Sequence, residues 1–147
     1  MKSMKTKVVA LDVYGTILPT KGKNIKRKGL DTLLSRCNHE GLILCTCSDG
    51  KTQSIKDDLF KAGVNLGYFD EFFQMPRQTK EFTKEPKDFT PILSHYSLTP
   101  EELLVIGDRE KRDIKPARSL GCHAILVPEY YDNKRGYDFD LSTIRIP

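Results

Sequence analysis

The stretch "VVALDVYGTIL", Val8 to Leu18, decides the predicted fold of this chain. It opens with an apolar run rich in valine, and that pattern predicts a strand over Lys7–Val13 that is buried on both faces of a parallel sheet. Asp12 lies at the end of the run, and Gly15 and Thr16 follow it. Because such sheets bind ligands at the carboxyl ends of their strands, we expect Asp12 to lie at a functional edge.

The rest of the chain alternates between predicted strands and helices. Further strands are predicted at Leu42–Cys47, Asp70–Met75, Leu103–Ile106 and Ala124–Val127, and helices at Ile25–Cys37, Thr52–Lys61, Phe89–Tyr96 and Asp113–Leu120. This alternation predicts a three-layer, Rossmann-like α/β fold with a central parallel sheet of about five strands. The length fits one domain, residues 1–147, and the polar tail 129–147 is left unassigned.

Composition indicates a soluble globular protein, with 38% hydrophobic and 30% charged residues. No apolar run is long enough to span a bilayer, and no secretory signal precedes the first strand, so we expect a cytoplasmic protein without a membrane partner. The four cysteines lack zinc-type spacing, and Cys45 and Cys47, on one face of a predicted strand, are interpreted as small buried thiols.

The net charge of +4 is unevenly distributed, because residues 1–28 contain eight Lys or Arg and one acid. The excess is concentrated in "KGKNIKRK", Lys21 to Lys28, shortly after Asp12. A basic segment near a functional edge favours anionic substrates, although a lysine-rich solvated loop would look the same.

Acidic and hydroxyl side chains follow the predicted strands. Asp12 is suited to nucleophilic attack, or simply to capping a turn. Asp108 and Asp113 in "IGDREKRD" are suited to a divalent cation, although Asp113 also fits a helix start. Ser48 in "CSDG" is either a phosphate ligand or the N-cap of the next helix.

The order of these motifs resembles the haloacid dehalogenase (HAD) superfamily of hydrolases. Asp-x-x-Gly-Thr follows a first strand, Ser-Asp-Gly a second, a lysine precedes a helix, and Gly-Asp-x-x-x-x-Asp follows a later strand. The similarity extends from about Lys7 to Val127. It implies a phosphatase-type member in which Asp12 accepts a phosphoryl group as an aspartyl-phosphate. Asp12, the backbone carbonyl of Tyr14, Asp108 and Asp113 would hold Mg²⁺.

The resemblance also implies the groups that hold the phosphate and screen its charge. Thr16 and Ser48 would bind or orient the phosphate, and Gly15 and Asp49 complete the expected substrate-binding residues. The motif lysine lies in "KEPKDF", and we prefer Lys84 because its spacing to Phe89 matches a common "K-x-P-x-x-F" arrangement. Lys87 is the alternative. A lysine and Mg²⁺ at one edge would screen the approach of a carboxylate to a phosphate dianion.

Tyr14 departs from the phosphatase pattern, because that position normally holds the aspartate that protonates the leaving group. Loss of a positioned general acid or base typically costs about 10²- to 10⁴-fold in rate. A tyrosine here is similar to the "D-x-Y-G-T" motif of 2-haloacid dehalogenases. We therefore consider three functions: a Mg²⁺-dependent phosphohydrolase, a catalytically weakened binding or regulatory protein, and a dehalogenase.

The chain also leaves no room for an inserted cap domain. Asp12, Ser48 and Lys84 are separated by two intervals of 36 residues, each filled by one helix-and-strand unit. An open site favours a large phosphorylated substrate, or closure by a second subunit or another macromolecule. Nucleic acid is not indicated, since the aromatic residues of a single-strand binding surface are missing from the basic segment.

Overall fold

A parallel sheet of five strands forms the centre of the protein, in a computed structural model that describes residues 5–75, 86–131 and 139–147. The strands are β1 (Val8–Leu11), β2 (Ile43–Ser48), β3 (Phe69–Gln74), β4 (Leu103–Gly107) and β5 (His123–Leu126). Their order is β3-β2-β1-β4-β5, and every neighbouring pair is parallel. The predicted fold is confirmed, and β1 occupies the middle of the sheet.

Helices cover both faces of this sheet. They are α1 (Leu30–His39), α2 (Thr52–Lys61), α3 (Thr90–His95) and α4 (Lys115–Leu120). Val9 and Leu11 of β1 pack with α1 and α2, whereas Val8 and Ala10 pack on the opposite face with α3 and α4. The apolar run of β1 is therefore buried on both faces, as its composition predicts. Among the described residues, no helix has the length and apolar character needed to cross a membrane.

Helix α1 begins five residues later than predicted, at Leu30 rather than Ile25. Gly29 precedes it in the left-handed region, with φ of 81°, and breaks the helical path. A Cβ on Gly29 would collide with the Asp140 carboxyl group, so the close approach also needs glycine. Residues 25–28, which were predicted to be helical, therefore lie outside α1, and Arg27 among them is buried.

The helical segment predicted at Asp113–Leu120 begins three residues earlier, at Glu110. A π-helical turn, Glu110–Ile114, precedes α4 and contains Asp113. Glu110 is the first residue of this helical segment, and Asp113 lies in its first turn, which agrees with the interpretation of Asp113 as a helix-start residue. Turns of this kind are frequent at functional sites, because they redirect side chains from the regular helical path.

The tail left unassigned by the sequence packs against the core. Leu141 and Ile144 are buried, and a short 3₁₀ turn spans Leu141–Thr143. The Arg36 guanidinium, on α1, donates to the carbonyl oxygens of Ser142 and Ile144 at 2.9 and 2.6 Å. This part of the tail is thus an integral layer over α1.

Candidate active site

The carboxyl ends of three neighbouring strands meet at one edge of the sheet. Asp12 follows β1, Ser48 ends β2 and Asp108 follows β4. A cavity of about 140 Å³ opens there, and its lining includes Asp12, Ser48 and Asp113. The structure thus brings together the motifs that the sequence places at strand ends.

Asp12 is held by two donors at the base of this cavity. Its side chain is 10% exposed, its Oδ1 accepts from Lys87 Nζ at 2.8 Å, and its Oδ2 accepts from Thr16 Oγ1 at 3.0 Å. Burial opposes ionisation of Asp12, but the Lys87 ammonium and these hydrogen bonds lower its pKa below the usual range. Asp12 is therefore an ionised carboxylate with a fixed orientation.

Lys87 supplies the ammonium group beside Asp12. Its side chain is 3% exposed, and Nζ also lies 2.7 Å from Asp113 Oδ1. Burial disfavours the ammonium, but the charges of Asp12 and Asp113 outweigh it and raise the pKa of Lys87 above its usual value. The sequence favoured Lys84, which lies outside the described residues. Lys87 occupies the position beside Asp12. Its backbone N–H donates to the Arg112 carbonyl at 3.0 Å, which holds the loop before α3 in place.

Three carboxyl groups cluster at the cavity. Each of Asp12, Asp108 and Asp113 offers an oxygen, and these oxygens lie within 4.8 Å of one another. Burial and the Asp12 charge raise the pKa of Asp108 to about 8, and the same two causes raise that of Asp113 to about 6. Hard oxygens at this separation fit Mg²⁺, which would offset the mutual repulsion. The Tyr14 carbonyl as a further ligand stays a prediction.

Two glycines permit the carboxyl groups to approach the backbone. Gly15 has φ of 88°, and a Cβ there would collide with the Asp108 carboxyl group and the Thr20 hydroxyl. A Cβ on Gly107 would collide with the Asp113 side chain. The glycines of "DVYGT" and "IGD" therefore leave the space that the carboxyl groups of Asp108 and Asp113 occupy.

The predicted phosphate-binding residues occupy different places. Thr16 is fully buried, and its hydroxyl lies within hydrogen-bond distance of Asp12 and of Asp108 Oδ1, at 3.1 Å from the latter. Ser48 lines the cavity and accepts from the Gly50 N–H at 3.1 Å. Its interpretation as an N-cap is wrong, since α2 begins at Thr52. Substrate binding by Gly15, Thr16, Ser48 and Asp49 stays a prediction.

The hydroxyl of Tyr14 is hydrogen-bonded to a residue of a neighbouring helix. Tyr14 lines the cavity, but its O–H donates to Oδ2 of Asp58 on α2. The other Asp58 oxygen accepts from Asn24 Nδ2 at 3.1 Å. Burial and the Asp58 hydrogen bond raise the pKa of Tyr14 above its usual value, so the phenol stays protonated. Neither Asp58 nor Asn24 carries a sequence motif that would have identified it.

Sequence reasoning missed three further cavity residues: Thr20, Arg109 and Arg112. Both arginines lie in "IGDREKRD", which was interpreted through its aspartates alone. The cations of the basic segment, Lys21 to Lys28, also differ in exposure, because the lysines at 21, 23 and 28 are exposed and Arg27 is buried. Arg27 is buried between the rings of Tyr130 and Phe139 and donates to the Thr16 carbonyl at 3.1 Å.

A family model described as HAD-hydrolase-like matches residues 85–130 of the chain. No curated protein matches the chain in sequence. A haloacid dehalogenase-like family hydrolase from Xanthomonas campestris is similar in structure, with a TM-score of 0.68 and 11% identity over 92% of this chain and 86% of that one. A predicted phosphoglycolate phosphatase from Haemophilus somnus 129pt has a TM-score of 0.65 and 14% identity over 88% and 89% of the two chains.

A HAD-superfamily hydrolase from Ehrlichia chaffeensis is also similar, with a TM-score of 0.65 and 15% identity over 93% of this chain and 95% of that one. At such identities the likeness establishes the fold. The resemblance in the motifs is therefore confirmed for the fold and for the segment that carries the last motif.

Proposed function

We propose that this chain, which has the fold of the haloacid dehalogenase-like hydrolases, is a Mg²⁺-dependent phosphohydrolase that acts through an aspartyl-phosphate on Asp12. The observation that carries the proposal is the ion pair between Asp12 and Lys87, at 2.8 Å, at the base of an acid-lined cavity. A buried carboxylate kept ionised beside a buried ammonium is suited to attack an electrophile that is itself anionic.

In the first step, an Asp12 carboxylate oxygen attacks the phosphorus of a phosphate monoester. A bond forms between that oxygen and phosphorus, and the bond from phosphorus to the leaving oxygen breaks. Lys87 stabilises the charge of the attacking carboxylate and the phosphoryl oxygens, while Thr16 keeps Asp12 oriented. In the second step, a water oxygen bonds to the phosphorus and the bond from phosphorus to the Asp12 oxygen breaks. The Asp12 carboxylate is restored, and the water protons leave with the inorganic phosphate.

Asp12, Asp108 and Asp113 would hold Mg²⁺, which supplies charge neutralisation and orients the phosphoryl oxygens when it is bound. Lys87 also pairs with Asp113, so one ammonium group links the nucleophile Asp12 to a second carboxylate of the acidic cluster. This link favours a single arrangement of the two carboxylates before substrate arrives.

The leaving oxygen needs a proton, and Tyr14 is poorly suited to give one. Its O–H donates to Asp58, and a phenol with a raised pKa is a weak acid. We therefore expect turnover to depend strongly on the leaving group. Esters of acidic alcohols or phenols would react fastest, because they leave without protonation.

The test is hydrolysis of p-nitrophenyl phosphate with Mg²⁺ by the wild type, Asp12→Asn and Tyr14→Asp. Asp57→Asn is the matched control, since Asp57 is an exposed aspartate on α2. We expect activity in the wild type and the control, its loss in Asp12→Asn and a gain in Tyr14→Asp. Failure of all variants to release phosphate would contradict the role of Asp12 as a phosphoryl acceptor.

A second candidate function is binding without efficient turnover, favoured by the Tyr14–Asp58 hydrogen bond. In that case beryllofluoride with Mg²⁺ would protect the wild type against melting although phosphate release is absent. Tyr14→Asp would then gain turnover. Halide release from a chloro-acid would instead indicate the dehalogenase alternative.

Closure of the open site is a further part of the proposal. A second copy of the chain or a phosphorylated macromolecule would cover the cavity, and exposed lysines at positions 21, 23 and 28 would attract an anionic partner. Sedimentation at increasing protein concentration tests self-association, because a covering second copy predicts a concentration-dependent dimer.

A further inference from the structure

Two arginines line the cavity beyond the groups that the phosphoryl reaction needs. Arg109 and Arg112 lie on the segment that follows β4, on the same cavity as Asp12 and Lys87. The Arg112 side chain is only 10% exposed, whereas that of Arg109 is 50% exposed. The cavity therefore contains one sheltered guanidinium and one at its mouth.

Each guanidinium faces a carboxylate from a different part of the chain. Arg112 Nη2 pairs with Oδ2 of Asp49, the residue after Ser48. Arg109 Nη2 lies 3.9 Å from Glu129 Oε2, which also accepts from Thr20 Oγ1 at 2.8 Å. Carboxylates thus occupy positions where a guanidinium would bind an anionic group of a ligand.

These ion pairs lie in the part of the cavity that the leaving group of a bound substrate would occupy. Asp12 and Lys87 are almost fully buried, so they meet the phosphoryl group at the base of the cavity. The remainder of a substrate must extend toward the more exposed lining, which includes Thr20, Asp49 and Arg109. Arg109 lies in this lining, and Arg112, which is as sheltered as Asp12, reaches it through its pair with Asp49. A guanidinium matches the planar, two-oxygen geometry of carboxylate and phosphate.

We propose that Arg112, assisted by Arg109, forms a subsite for a second anionic group, a carboxylate or a second phosphate, on the leaving-group portion of the substrate. Asp49 holds Arg112 in the absence of ligand, and the ligand anion takes its place. The proposal rests on the phosphohydrolase function, since that function defines which part of the substrate reaches the arginines.

The competing explanation is that the Arg112–Asp49 pair only ties the end of β2 to the segment after β4. A purely structural tie would affect every ligand alike. A subsite would affect only ligands with a second negative charge. Pairs of ligands that differ in that charge alone therefore separate the two explanations.

The experiment measures binding by calorimetry, in Mg²⁺, to the Asp12→Asn variant, which cannot form the aspartyl-phosphate. One ligand pair is 3-phosphoglycerate and glycerol 3-phosphate, which differ by a carboxylate. The other is fructose 1,6-bisphosphate and fructose 6-phosphate, which differ by a phosphate. The readout is the ratio of dissociation constants within each pair, before and after Arg112→Ala, Arg112→Lys and Asp49→Asn are added.

We expect the more anionic ligand of at least one pair to bind more tightly, and Arg112→Ala to reduce that preference by roughly 10- to 100-fold. Arg112→Lys should reduce it less, and Asp49→Asn should increase it by removing the competing carboxylate. The pair that responds identifies the group as carboxylate or phosphate. Lys111→Ala is the matched control, an exposed cation on the same turn.

An unchanged ratio in Arg112→Lys and Asp49→Asn, or no preference in either pair, would overturn the subsite. The Lys and Asn variants preserve most of the packing, so the outcome does not depend on the fold of Arg112→Ala. Because the readout is binding, it is separate from the test of the phosphohydrolase function, which measures hydrolysis of p-nitrophenyl phosphate.

Discussion

The phenol of Tyr14 donates its hydrogen bond to Asp58, a residue of α2, although its ring lines the cavity that holds the nucleophile. Residue 14 is the position at which the related phosphatases have a general acid, and this hydrogen bond ties it to a helix on one face of the sheet. A proton held in this way is directed at a protein carboxyl group, and the leaving group of a substrate has to compete for it.

The first prediction concerns the identity of residue 14. Tyr14→Asp would restore a carboxyl group that can protonate the leaving oxygen, and we expect its benefit to depend on leaving-group basicity. For an alkyl phosphate the rate should rise toward the about 10²- to 10⁴-fold contribution of general acid catalysis, with a much smaller rise for p-nitrophenyl phosphate. Steady-state kcat with both esters checks this, and equal gains for the two would contradict it.

The second prediction concerns the buried ammonium. Lys87→Met removes the partner of both Asp12 and Asp113, so two buried carboxyl groups lose their compensating charge. We expect loss of p-nitrophenyl phosphate hydrolysis and a decrease of about 3–5 kcal/mol in the free energy of unfolding, as for a broken buried ion pair. Urea unfolding and the phosphate assay measure the two effects.

Lys84→Met is the matched comparison for that variant. If the motif lysine is Lys87, then Lys84→Met should keep activity that Lys87→Met loses. The reverse result would restore Lys84 as the catalytic lysine.

The third prediction separates backbone strain from collision at Gly15. Gly15 and Gly41 both have positive φ, 88° and 75°, but a Cβ on Gly41 meets nothing within 4 Å, whereas one on Gly15 collides with the Asp108 carboxyl group. Gly41→Ala should therefore cost only the strain of its φ, on the order of 1 kcal/mol. Gly15→Ala should cost more and also weaken Mg²⁺ binding, as measured by urea unfolding and calorimetry. Equal costs would show that the acidic cluster tolerates the added methyl group.

The fourth prediction concerns pH and metal. The folded protein raises the pKa of Asp108 to about 8 and that of Asp113 to about 6, mainly through burial and the Asp12 charge. The folded state then binds more protons than the unfolded state, so stability is lost as pH rises from about 4 through these two values. In EDTA, we expect the melting temperature to fall between pH 5 and pH 8.5.

Added Mg²⁺ should oppose that fall, because it competes with protons for the same oxygens. Its stabilising effect should be larger at pH 8 than at pH 5. Asp108→Asn should flatten the dependence in EDTA and remove most of the Mg²⁺ effect. A melting temperature that rises across the interval in EDTA would contradict the proposed charge balance.

The sheet was predictable from the sequence because its strands are continuous apolar runs, and a run such as Val8–Leu11 is compatible with few other environments. The edge that holds Asp12 and Asp108 was predictable for a related reason, since parallel strands place their carboxyl ends together. Strand bounds therefore agree to within two residues, and the predicted bounds of α2 agree fully.

Side-chain partners were less predictable, because each depends on a contact distant in sequence. The preference for Lys84 relies on spacing within one loop and stays a prediction, because Lys84 lies outside the described residues. The position of Lys87 depends on contacts with Arg112 and Asp113, which the spacing does not reveal. The partner of Tyr14 lies 44 residues away on α2, without a local signal. Helix α1 was predicted too long because apolar spacing does not reveal the left-handed Gly29.

The packing of Arg27 between Tyr130 and Phe139 has a consequence for the order in which the protein is made. The loop after Asp12 leaves the ribosome early, but Tyr130, whose hydroxyl donates to the Ile25 carbonyl, follows 105 residues later. A chain interrupted before that residue would already contain every carboxylate of the cavity, yet Arg27 would lack both aromatic neighbours. During synthesis, the first motif of the site is therefore translated long before its packing is complete.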